Sequence, residues 1–125
     1  MKELSETEWY VLESLWVDSP KIGSQIVADL SRTRGWSRST TLTMLRRMTE
    51  KKLIVCDDSG KMKSYTPLVA REEAVKKETE SFLDRVYHGS VSMLLNGFVE
   101  KQRLTSEEIN ELRKILDQAE ERNEC

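Results

Sequence analysis

Three helical runs followed by two short β-like runs constrain this chain more than any other feature. Ser5 and Glu8 form a capping box, and Trp9, Leu12 and Trp16 follow at helical spacing with Val11 and Leu15 beside them. Asp18-Ser19-Pro20 breaks that helix. A second helix is predicted from Ile22 to Arg34, with Ile22, Ile26 and Leu30 spaced by four and Val27 alongside, ended by Gly35. After Trp36, Ser37 can cap a third helix running to about Lys51, with Leu42, Leu45, Met48 and Thr49 as its inner face. Leu53–Asp58 and Lys63–Leu68 then read as strands around the turn Ser59-Gly60-Lys61-Met62. That order is a helix-turn-helix with a wing appended.

Beyond Val69 the helical period returns. Glu72 to about Tyr87 carries Val75, Phe82 and Val86 on one side, and His88-Gly89 interrupts it. Ser90 can start a helix bearing Met93, Leu94, Leu95, Phe98 and Val99. Thr105 and Glu108 form another capping box before Ile109, Leu112, Leu116 and Ala119, whose spacings of 3, 4 and 3 make a coiled-coil-like seam. The expected fold is mostly α with a small β hairpin: a winged helix-turn-helix DNA-binding domain over 1–70 and a helical dimerisation domain over 71–125. The tail holds more apolar surface than three short helices need for themselves. Val75, Phe82, Val86, Leu94, Leu95, Phe98, Ile109, Leu112 and Leu116 are the expected dimer contacts.

Charge is unevenly spread. Residues 1–70 hold 11 Lys/Arg against 9 Asp/Glu, residues 71–125 hold 9 against 13, and Arg32 to Lys63 alone holds 9 against 3. A basic stretch in a chain of net charge −2 suggests a localised phosphate-binding face. No apolar run is long enough for a membrane span, and the N-terminal residues carry no secretory pattern. Cys56 and Cys125 are too sparse for a disulfide framework, so a cytoplasmic protein is expected.

Advancing about 100° per residue from Leu42 puts Thr40, Thr43 and Arg47 on the far side of the third helix. Ser39 and Arg46 flank them, and Arg38 sits in the first turn. Hydroxyl and guanidinium groups bury little surface but suit a major groove, where hydroxyls reach base edges or phosphates and Arg can fork onto guanine. Lys61 and Lys63, at the hairpin tip and second strand, are placed to meet the sugar-phosphate backbone. Lys51 and Lys52 end the third helix, where positive charge serves either the helix dipole or a phosphate.

Nothing amounts to catalysis. His88 beside Gly89-Ser90 reads as a helix-end residue, and one histidine cannot supply a nucleophile-base-orienter set. No metal-ligand spacing or phosphate-cradling glycine loop is present, so neither metal nor cofactor is expected. Cys56, in an apolar run, is expected to be a buried thiol, and the three Trp to be core.

Five stretches together resemble the penicillinase repressor family, which includes the methicillin-resistance and copper-operon repressors. They are Leu4-Ser-Glu-Thr-Glu-Trp-Tyr-Val-Leu12, Trp36-Ser-Arg-Ser-Thr-Thr-Leu-Thr-Met-Leu-Arg-Arg-Met48, Tyr65-Thr-Pro-Leu-Val69, Phe82-Leu-Asp-Arg-Val-Tyr-His-Gly-Ser90 and Leu104-Thr-Ser-Glu-Glu-Ile109. The resemblance implies a homodimeric repressor on an inverted repeat of TACA and TGTA half-sites. It also implies release by a signal from a membrane sensor protease or, in the copper branch, by a metal. Thr40, Thr43 and Arg47 fall at the family's recurrent recognition-helix positions.

Three departures stand out. Lys52 replaces the usual Gly after the third helix, so the turn there must accept a side chain. Gly97 separates Asn96 from Phe98, where the penicillinase branch has an adjacent Asn-Phe cleavage pair. The copper branch's C-terminal cysteine cluster is reduced here to Cys125. The rival reading is a winged helix that binds another protein through its apolar tail, without specific DNA binding. Salt separates the two, because phosphate contacts weaken steeply as salt rises.

Overall fold

The computed structural model describes residues 3–124. Its elements are α1 (Glu6–Val17), β1 (Lys21–Ile22), α2 (Gly23–Arg34), α3 (Arg38–Glu50), β2 (Ile54–Asp57), β3 (Ser64–Pro67), α4 (Arg71–Tyr87), α5 (Val91–Glu100) and α6 (Ser106–Glu124). They fall into two compact units, Met1–Thr79 and Glu80–Cys125.

Local chemistry sets the helix ends. The Glu8 amide donates to Ser5 Oγ at 3.2 Å while the Ser5 amide donates to Glu8 Oε1 at 2.9 Å. Those two bonds satisfy amides that the first turn leaves without helical partners. Gly35, at φ 68°, closes α2 by donating its amide to Ser31 O at 3.0 Å. Ser37 Oγ accepts from the Thr40 amide at 3.2 Å and starts α3.

The sheet is larger than the expected hairpin. β1 pairs antiparallel with β3 and β3 with β2, in the order β1-β3-β2. Ile22 is therefore extended, not the first residue of the second helix, and α2 begins at Gly23. Pairing Ile22 with Ser64 and Lys21 with Tyr65 gives this backbone partners that a helix start would lack. Lys21 also ties the strand to both neighbouring helices. Its Nζ donates to Ser14 O and to Asp29 Oδ2, each at 2.6 Å.

The core of the first unit is Val11, Leu12, Leu15, Ile26, Leu30, Leu45, Met48, Leu53, Ile54, Val69 and Ala74. Trp9, Trp16 and Trp36, expected within the core, are half-buried and pack against its outside, with Trp9 and Trp16 edge to face at 5.4 Å. Leu42, assigned to this core from sequence, is not part of it. The buried stripe of α3 is Thr41, Leu45 and Met48, and Leu42 is 38% exposed. The two largest apolar groups buried from this helix are Leu45 and Met48. Centring the helix on both turns it by about 90° from a Leu42-centred wheel. Thr41 then goes inside, where its hydroxyl finds no hydrogen-bond partner.

The first unit also reaches past the second strand of the hairpin. Val69 and Ala74 are buried, and the Trp16 indole donates to Val69 O at 2.8 Å. Lys52 adopts φ 63°, so the turn after α3 does hold a side chain in the left-handed region. Cys56 is a free thiol and only half-buried, against the expectation of burial: it shares β2 with the exposed Val55 and faces Tyr65 across the ladder. Cys125 lies outside the described residues.

Candidate nucleic-acid interface

Rotating α3 redistributes its outer face without hiding it. Arg38, Ser39, Thr40, Arg46 and Arg47 are exposed and Thr43 is half-buried. Ser39, Thr40, Thr43 and Arg47 line one shallow open depression together with Met44, which the sequence reading did not single out. With Thr41, Leu45 and Met48 inside, Ser39 and Thr43 come to the centre of the outer face and Leu42 to its edge. The Arg46 guanidinium stands 3.8 Å from Glu50 one turn on, an exposed pair too solvated to immobilise it.

The wing is organised by Asp57. Its Oδ1 accepts from the Ser59 hydroxyl at 2.6 Å and the Ser59 amide at 2.9 Å, an arrangement that turns the chain after β2. These two bonds hold the Asp57 carboxyl below its ordinary range, so it stays charged. Lys61, Met62 and Lys63 are exposed on the far side of this turn.

Lys51 has a structural partner. Its Nζ lies 2.9 Å from Glu8 Oε2, and the Glu8 side chain is only 7% exposed. Burial pushes the Glu8 carboxyl up, but the bonds from Ser5 and Lys51 outweigh it and leave the group below its ordinary value. That pairing joins the start of α1 to the end of α3. Asp29 is likewise held low, first by Lys21 against some burial, then by Ser14.

The second unit is built otherwise. His88 (φ 52°) and Gly89 (φ 82°) end α4, and Ser90 Oγ accepts from the Met93 amide at 3.2 Å to start α5. Thr105 and Glu108 exchange two bonds of 3.1 Å before α6. None of the described residues of this unit is buried. Phe82, Val86, Phe98, Ile109 and Leu116 are exposed, while Leu94, Leu95 and Leu112 are half-buried. Val75 is half-buried within the first unit. Val91 and Ile115, not singled out from sequence, add 56% and 59% exposed apolar side chains. Ile115 was legible as the neighbour that broadens the Leu112–Leu116 seam. Asn96, Gly97 and Phe98 lie inside α5. Among the described residues no helix is long and apolar enough to cross a membrane.

Three packed helices, the third presenting a polar outer face beside a β hairpin, define a winged helix-turn-helix. The chain belongs to the penicillinase repressor family, whose profile matches residues 4–118. It is 32% identical to the penicillinase repressor of Bacillus licheniformis over 116 residues, covering 93% of this chain and 91% of that one. It is also 32% identical to the methicillin resistance regulatory protein MecI of Mammaliicoccus sciuri over 115 residues, covering 92% and 94%. Among solved structures, the DNA-binding domain of the repressor BlaI matches with a TM-score of 0.51 and 29% identity. That match covers 58% of this chain and 93% of that one. Bacillus licheniformis BlaI, solved as a monomer with the blaP half-operator, matches with a TM-score of 0.52 and 28% identity, over 58% and 88%. The family is one of transcriptional repressors and not of enzymes.

Proposed function

We propose that this chain is a cytoplasmic homodimeric repressor that reads an inverted-repeat operator of TACA/TGTA type and controls a β-lactamase or other resistance-like operon. The carrying observation is the exposed hydroxyl and guanidinium face of α3 beside a basic wing, on a chain whose net charge is −2. Arg38, Ser39, Thr40, Thr43, Arg46 and Arg47 enter the major groove or its rim, and Lys61 and Lys63 meet the backbone. Lys51 contributes at most an outlying charge, since Glu8 already holds it. The exposed apolar faces of the tail supply the two-fold symmetry that an inverted repeat demands.

Release follows from any signal that separates the tails, because one recognition helix reads too few base pairs for genomic specificity. The family resemblance points to a sensor protease and to Asn96, Gly97 and Phe98, although Gly97 interrupts the pair and the segment is helical. Sequencing the fragments that the full chain retains from its own genome tests the reading: they should share one inverted motif. Neutralising Lys61 and Lys63 together should weaken binding to all sequences alike. It should also flatten log affinity against log salt by about one for each phosphate no longer neutralised. Retention with no common motif, or binding indifferent to salt, would favour a protein-binding module instead.

A further inference from the structure

We propose that Leu42 is a specificity-determining residue that reads the 5-methyl group of thymine in the major groove. The inference rests on the DNA-binding reading of α3. At adjacent positions the helix buries a hydroxyl, Thr41, which finds no partner, and leaves a leucine, Leu42, 38% exposed. Folding alone favours the reverse order, with the apolar group inside and the polar one out. Local choices that oppose the fold gather at functional sites.

The surroundings say which function. Arg38 and Arg46 stand four residues before and after Leu42, so they flank it along the helix surface, and both are exposed. The inner edge of Leu42 lies beside Gly23 at the start of α2, its Cδ2 being 4.0 Å from where a Cβ would sit there. The open part of the side chain thus lies at the edge of the outer face that Ser39 and Thr43 centre. Of the groups a major groove displays, the thymine methyl is the one suited to an aliphatic contact. The other residues of that face offer hydroxyls and guanidinium groups, apart from the half-buried Met44. Leu42 is the more exposed of the two apolar residues, at 38%.

The test uses the full-length chain and the duplex it enriches from a random-sequence library, made with thymine or with deoxyuridine at each thymine in turn. Deoxyuridine removes the methyl and keeps the base pairing. The wild-type chain should bind about three- to fivefold less tightly for each contacted methyl removed. Leu42→Ala should lose the same factor on the thymine duplex and lose nothing further on deoxyuridine. Leu42→Met, which keeps an apolar reach, should retain the sensitivity, and matching thermal melts establish that both variants are folded. If Leu42→Ala stays as sensitive to deoxyuridine as wild type, or wild type is indifferent to it, the methyl contact is refuted while operator binding stands. If no duplex is enriched, the DNA-binding reading itself fails and this inference falls with it.

Discussion

The two compact units are written in the same helical alphabet and place their apolar residues in opposite ways. In the first, leucines from α1, α2 and α3 meet Ile54 and Val69, and every buried hydrophobic side chain among the described residues lies there. In the second, Phe82, Val86, Phe98, Ile109 and Leu116 recur at equally regular spacing and remain exposed. Each fully buried Leu or Ile contributes roughly 1.5–3 kcal/mol, which the first unit collects within one chain. The second fully buries none of its described side chains. Periodicity therefore marks an apolar face but does not say whether the chain itself will cover it.

Removing the tail breaks the comparison most directly. A chain ended after Thr79 keeps Val69 and Ala74 and should remain folded, sediment as a monomer and bind one half-site. Without the second half-site, operator binding should weaken by about 10²–10⁴-fold. A truncated form that stays dimeric with full affinity would mean that the tail does not make the dimer. Ending the chain at Leu68 is a different experiment. It deletes two core residues and the carbonyl that the Trp16 indole uses, so unfolding would confuse the result.

A smaller effect is expected on the reading face. Thr43→Ala or Arg47→Ala should each cost about 1–3 kcal/mol of operator affinity for every base edge left unread, with non-specific binding changed less. Titrations in which both variants matched wild type would move the reading face elsewhere on the first unit.

Thr41→Val addresses stability alone. Replacing a buried, unpartnered hydroxyl by a methyl of similar shape should raise the stability of the first unit by about 1–3 kcal/mol. Operator affinity should not change. Denaturant melts that show a loss would reveal a partner for that hydroxyl.

Acid should sharpen the contrast with a lesser effect. Glu8 and Asp29 titrate below their ordinary values of 4.5 and 3.8 in the folded chain. A folded pKa lower than the unfolded one gives stability that is present above the unfolded value and lost as pH falls through the folded one. The first unit should therefore weaken below about pH 4.5, and Glu8→Gln should weaken less over that range. Melts at neutral pH and near pH 3 would measure it, and parallel curves for the two proteins would remove Glu8 from the account.

What the sequence disclosed follows from how far each determinant reaches. Ser5 with Glu8, Gly35, Ser37, and Thr105 with Glu108 act within one turn, and each ends or starts a helix where the spacing puts it. β1 was illegible because Lys21 and Ile22 owe their extended form to Tyr65 and Ser64, far along the chain. The rotation of α3 escaped for another reason. Positions 41, 45, 48 and positions 42, 45, 49 fit a helical stripe equally well, and hydropathy prefers Leu42 to Thr41. Only packing of Leu45 and Met48 together decides between them. The residues expected to contact DNA stay exposed or half-buried after that turn, because the outer face of α3 is polar across most of its width.

The placement of aromatic rings gives the molecule a built-in optical reporter. Trp9, Trp16 and Trp36 all lie in the first unit, and residues 80–125 contain no tryptophan. Indole emission thus reports on the winged helix, which holds all three rings. Trp16 is the most informative of the three, since its N–H holds the Val69 carbonyl just ahead of α4. A red shift of its emission would signal water reaching the entrance of that helix, while the circular dichroism of the remaining helices could stay unchanged.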